Sequence, residues 1–146
     1  MAFPFHLTFE ESLQISTNEI NEYEIFRIIE NYLLRQQQSD FYKTDNTIIL
    51  NPSGSKTSRF GVLGKCEFIV IETNKEFKLV YKFSYTKPLL IFTVFLLIAL
   101  FTTKEIAFIP LGIIVIIGST LISVYHQNII FYEIINEINP KFIRKS

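Results

Sequence analysis

The chain has 146 residues, with 14 lysines and arginines balanced by 14 aspartates and glutamates, and a single cysteine. Zero net charge leaves no basic footprint for nucleic acid, and one cysteine rules out an intrachain disulfide or a cysteine-cluster zinc site and fits a reducing compartment. The start, MAFPFHLTFEE, has neither the basic region nor the continuous apolar stretch of a signal peptide, and Asn51-Pro52-Ser53 has proline where a glycosylation acceptor forbids it.

Phe5, Leu7 and Phe9 alternate with His6, Thr8 and Glu10, the period of a half-buried strand, which Leu13 and Ile15 extend beyond a bend at Glu10-Glu11. Ser16 and Glu19 have capping-box spacing, so a helix is expected from there to about Gln36. Its apolar face is Tyr23, Ile25 or Phe26, Ile28, Ile29, Tyr32 and Leu33, with Glu22, Glu24, Glu30, Asn31 and Arg35 on much of the opposite side. This pattern predicts a surface helix lying on a sheet.

Gln36 to Asp40 ends the helix, and Thr47 to Leu50 reads as the second strand. Asn51 to Ser58 is a loop by composition. Gly54-Ser55-Lys56-Thr57 within it imitates a phosphate loop but fails the pattern. That motif needs glycine immediately before the lysine and again five positions earlier, where this chain has Ser55 and Leu50.

Phe60 to Glu72 and Glu76 to Tyr85 predict an antiparallel hairpin. Thr73-Asn74-Lys75 forms the turn, Asn74 tolerating positive φ, and Gly61 and Gly64 mark an irregular start. Phe77, Leu79, Tyr81, Phe83 and Tyr85 fall on one face. This row is either sheet core under the helix, or an interface or ligand face (Phe77, Tyr81, Phe83, Tyr85) whose end enters the interfacial aromatic belt.

Two apolar runs then follow, residues 88–103 and 106–125, separated by Lys104-Glu105. A bilayer core takes about 20 apolar residues, with a range of roughly 17–25. The second run meets this without a charge. The first is slightly short, and Lys87 and Lys104 can snorkel to the headgroups. A chain of this size could hardly cover two helices apolar on every side, so a two-helix transmembrane hairpin is expected. The first span would serve as the insertion signal.

Lys75, Lys78, Lys82 and Lys87 precede the spans and Lys141, Arg144 and Lys145 follow them, against Lys104 offset by Glu105 in the turn. This bias puts both termini in the cytoplasm, at the cell (inner) membrane. With no ionisable group inside either run, a self-contained pump or transporter is disfavoured. Gly112, Gly118, Ser119 and Ser123 are the small residues for helix packing, within the hairpin or between copies. Pro110 sits in a first helical turn, where its missing N–H does no harm.

From His126 to Asn139, Ile130, Phe131, Ile134, Ile135 and Ile138 form one stripe, opposite Glu133, Asn136 and Glu137. This amphipathic helix continues the second span, bends at His126-Gln127-Asn128 onto the headgroups, or docks on the sheet. Pro140 is expected to stop it. Lys87, Lys104, Lys141, Arg144 and Lys145 are candidate headgroup contacts.

The fold class is thus α+β. A small antiparallel sheet with one covering helix fills residues 1–86, a transmembrane hairpin residues 87–126, and a cytosolic helix with a basic tail residues 127–146. No catalytic residue, cofactor site or metal site is expected. His6 and His126 lack ligand-spaced partners, Cys66 alternates with Phe68 and Val70 as a buried thiol would, and the carboxylate pairs lie in polar contexts. No G-x-S-x-G, H-E-x-x-H, kinase or dinucleotide pattern occurs.

Three functions follow. The first is a non-enzymatic anchor or assembly module that meets a protein partner or its own copy at the membrane. The second is a lipid- or ligand-binding domain using the aromatic row. The third, most remote, is a small membrane enzyme using interfacial groups such as His126 and Glu133.

Overall fold

The structure, a computed structural model, describes residues 6–16, 21–51, 60, 64–74, 76–103 and 108–143. Five strands form one antiparallel sheet: β1 (His6–Ser16), β2 (Phe41–Thr44), β3 (Thr47–Leu50), β4 (Cys66–Thr73) and β5 (Glu76–Ser84). Their spatial order is β1-β5-β4-β3-β2, a meander from β2 to β5 with β1 added beside β5. Three helices complete the α+β fold: α1 (Glu22–Arg35), α2 (Thr86–Thr103) and α3 (Phe108–Ile143).

Register decides which side chains share a face. Pairing of Phe83 with Leu7 and Cys66, and of Tyr81 with Phe9 and Phe68, puts these residues on one side. Ile48 and Leu50 join them through β3. On this side lie α1 and the second half of α3, so two helices cover the sheet where one was expected. The buried core includes Ile25, Phe26, Ile29, Tyr32 and Leu33 from α1 and Ile130, Phe131, Ile134, Ile135 and Ile138 from α3. The 3.6-residue period in each helix and the two-residue period in the strands meet in this single layer. The other face carries Thr8, Glu10, Glu67, Lys78 and Lys82, with no helix over it among the described residues.

Several sequence expectations are corrected locally. Ser16 does not cap a helix; it pairs with Glu76 at the end of β1. The N-cap is Asn21, whose Oδ1 accepts the Tyr23 N–H at 3.3 Å; Glu19 lies outside the described residues. Phe41–Thr44, for which the sequence predicts no element, is an edge strand joined to β3 by Asp45 and Asn46. The strand expected from Phe60 begins at Cys66. Pro140 does not end α3, which continues to Ile143. A proline this near the end forfeits the bond to the residue 136 carbonyl without stopping the last turn.

The expected turn at Asn74 is present with φ 52°. Gly64 lies so close to β5 that its N–H donates to the Ser84 carbonyl at 2.9 Å, and an added Cβ would stand 3.1 Å from that of Ser84. Most of the Asn51–Ser58 loop, with Gly61, Lys75 and the Lys104-Glu105 link, lies outside the described residues.

Candidate functional site

The chain's unusual feature is the path of α3. From Ile109 to His126 no described side chain is buried; Gln127 is the first, and the buried stripe follows it. Leu111, Ile114, Leu121 and Ile122 are each more than half exposed, as are Leu90, Phe95 and Phe101 on α2. So much exposed aliphatic surface is foreign to a water-facing helix. Among the described residues, one helix, Ile109–Asn139, is long and apolar enough to cross a membrane, and the apolar stretch Leu89–Ala99 is shorter.

The two apolar helices pack against each other through Gly112. A Cβ there would fall 2.1 Å from Leu96 Cδ1, so the absent side chain is what admits Leu96. Beside this contact is an apolar cleft of about 210 Å³ lined by Phe92, Phe95, Ala99, Leu111, Val115 and Ile116. Gly118 has nothing within 4 Å of such a Cβ and takes no part in the contact. Ser119 donates to the Ile116 carbonyl, as does Thr120, so these hydroxyls serve their own helix. Ser123 is half-buried.

At the junction with the domain, α3 is held by polar bonds set into the apolar layer. Tyr81 donates to Gln127 Oε1 at 2.7 Å, inside the core. The Tyr81 oxygen also lies 3.7 Å from Cys66 Sγ. Burial pushes the Cys66 thiol up to about 12, opposed by the Tyr81 contact and aided by nearby Glu67. Burial, and then Cys66, drive the Tyr81 phenol well above its ordinary value. Neither group is set up for acid–base or nucleophilic work near neutral pH.

Farther along, Tyr32 donates to Glu133 Oε2 at 2.6 Å and Arg35 pairs with both carboxylate oxygens of Glu137. The three-residue step on α1 matches the four-residue step on α3, one turn on each helix. Glu133 is engaged by Tyr32, while His126 stands exposed. His6 also lies at the surface.

The aromatic row, expected either as sheet core or as an interface or ligand face, lies beneath α3. Phe77, Tyr81, Phe83 and Tyr85 are all buried, and the space above them is filled. Phe131 stacks on Phe9 and Tyr81 with centroids 5.8 and 6.2 Å apart, and Phe68 stacks on Tyr81 at 4.5 Å. The row is core because α3 docks on it, a non-local event that spacing cannot reveal. The side chains of Lys87, Lys104, Lys141, Arg144 and Lys145, expected at headgroups, lie outside those described. Gln127 was passed over as part of a polar break; a polar residue in phase with an apolar stripe was its signal. Among the described residues no cluster of three or more histidine, cysteine, aspartate or glutamate side chains is placed to hold a metal. Comparison with protein-family models, curated proteins and solved structures returns no match.

Proposed function

We propose that this chain is a small integral membrane protein that holds its α+β domain stiffly at the cytoplasmic face, as a non-enzymatic anchor or assembly module for a protein partner or a second copy. The observation that carries this reading is the division of α3 into a wholly unburied apolar half and a half built into the domain core. At 1.5 Å per residue its 36 residues measure about 54 Å. A hydrocarbon core of about 30 Å takes up some 20 residues. The remainder, about 24 Å, is the half whose Ile130, Phe131, Ile134, Ile135 and Ile138 are buried in the domain core.

Two spans are favoured over one. Helix α2 has 18 residues, about 27 Å, and Lys87 at its second position and Lys104 next after it in the sequence extend its reach by snorkelling. Its Leu96–Gly112 contact with α3 is the packing expected of a membrane hairpin. The lysine and arginine bias around the spans favours both termini in the cytoplasm. The core residues shared by α3 and the sheet favour a stiff joint, which suits scaffold or force-bearing duty.

The test is membrane fractionation with topology mapping. The full chain should resist alkaline extraction, require detergent, and show N- and C-terminal tags on the same, cytoplasmic side of sealed vesicles. Affinity purification from native membranes should then bring down a stoichiometric protein partner or a second copy. A water-soluble chain, or tags on opposite sides, would refute the anchor. A detergent-solubilised bare monomer would refute the assembly role.

A further inference from the structure

The uncovered face of the sheet is not uniformly neutralised. Lys78 and Lys82 both project from it on β5, four residues apart. Lys78 is paired at 2.5 Å with Glu10 on the neighbouring strand. The cross-strand neighbour of Lys82 is Glu67, but Glu67 is taken at 2.7 Å by Lys65. That hydrogen bond is the leading cause of the upward shift of the Lys65 pKa. Lys82 therefore has no ion-pair partner among the described residues, and neither His6 nor Thr8 has a hydrogen-bond partner there.

These residues share one groove. Thr8, Lys82 and Glu67 lie in a row across β1, β5 and β4, and the row above begins with His6 opposite Ser84. Lys65 closes that end through its carbonyl, which accepts the Ser84 N–H at 2.9 Å. The groove is open and has a volume of about 540 Å³. A hydroxyl, an imidazole and an unpaired ammonium converge on it, with Glu67 turned to Lys65. This donor set suits a phosphate oxygen better than a cation or an apolar ligand.

Position names the source of the phosphate. Helix α2 starts at Thr86, and Lys82 lies two residues, about 7 Å, before the end of β5 at Ser84. On the membrane reading above, on which this inference rests, the groove opens at the headgroup layer. Lys78, four residues or two pleat repeats farther from α2, is the paired one.

We propose that His6, Thr8 and Lys82, bordered by Lys65, form a binding site for the phosphate of an anionic phospholipid headgroup, which fixes the domain's tilt on the bilayer. The experiment uses the full chain in mild detergent with equimolar phosphatidylglycerol and phosphatidylcholine, retained lipid being read by native mass spectrometry. The wild type should retain phosphatidylglycerol preferentially. Lys82→Gln should reduce that preference about fivefold, the effect of one cation near an anionic surface, and Lys78→Gln should leave it unchanged. Circular dichroism of each variant verifies folding, and flotation with phosphatidylcholine vesicles after an alkaline wash tests the anchor separately.

Flotation with no phosphatidylglycerol preference, or equal loss in both lysine variants, overturns the site and leaves the anchor standing. Failure to float overturns both. Lys82-dependent binding of inorganic phosphate in phosphatidylcholine, without a phosphatidylglycerol preference, overturns the headgroup assignment in favour of a soluble anion.

Discussion

The phenol of Tyr81, midway along β5, donates a 2.7 Å hydrogen bond to Gln127 at the residue where α3 first becomes buried. A polar pair at this depth fixes the rotation and height of α3 on the sheet, because sliding the helix by one residue would break the bond inside the core. A buried acceptor deprived of its donor loses about 1–3 kcal/mol. Tyr81→Phe should therefore lower the domain's stability by that amount in urea titrations monitored in detergent. Gln127→Leu combined with Tyr81→Phe should lose less than the sum of the single changes. Additive losses would show that the bond does not couple sheet to helix.

Gly112 and Gly118 look alike in the sequence and differ in the structure. Only Gly112 meets α2, with Leu96 filling the place a side chain would take. Gly112→Ala displaces the flexible end of Leu96 and should be tolerated. Gly112→Ile should separate α2 from α3 and lower the thermal transition of the detergent-solubilised chain, while Gly118→Ile, in open space within the chain, should not. A reversed order would move the helix contact from residue 112 to residue 118.

Much of the domain was legible because its signals are local. The alternation of Phe77, Leu79, Tyr81 and Phe83 marks β5, the spacing of Ile25, Ile28, Ile29 and Leu33 marks α1, and Asn74 marks the turn. The edge strand β2 was missed because Phe41-Tyr42-Lys43-Thr44 has one apolar–polar repeat at most, too short for a period. Its Lys43 ammonium lies over the Tyr23 and Phe26 rings of α1, at 4.6 and 4.5 Å, a tertiary contact that no spacing encodes. Placing β1 beside β5, and α3 on the aromatic row, likewise depends on residues far apart in sequence. His126-Gln127-Asn128 reads as a hinge in isolation, since its polarity is explained only by Tyr81 across the core. For the candidate site, the alternation of Thr8, Glu67 and Lys82 was visible, but which lysine lacks a partner requires the register.

Helix α1 ends in a Schellman motif without glycine. Gln37 has φ 56°, its N–H donates to the Leu34 carbonyl at 3.0 Å, and that of Gln38 donates to Leu33 at 3.0 Å. A left-handed conformation costs a residue with a Cβ roughly 1–2 kcal/mol, and glycine escapes this while losing about 0.5–1 kcal/mol in chain entropy. Gln37→Gly should thus stabilise the domain by about 0.5–1 kcal/mol, seen as a higher thermal midpoint. A lower midpoint would mean that the Gln37 side chain makes contacts outweighing its backbone strain.

Cys66 reports on the integrity of the layer beneath α3. With the thiol buried and its pKa pushed up to about 12, a maleimide or iodoacetamide at neutral pH should leave Cys66 unmodified in the folded chain and label it fully in denaturant. The linkage sign follows from a folded pKa above the ordinary 9.0. Below pH 9 the thiol is protonated in both states, and its contribution is fully present. Above pH 9 the unfolded chain ionises first, so stability declines as pH rises toward about 12. Tyr81, raised in the same direction, adds to the decline above its own ordinary value of 10.0. Denaturation midpoints measured from pH 7 upward should hold steady and then fall beyond pH 9, and Cys66→Ala should flatten the first part of that fall. An unchanged profile in Cys66→Ala, or rapid labelling of the folded chain, would place the thiol in contact with water and the sheet–helix layer open above it.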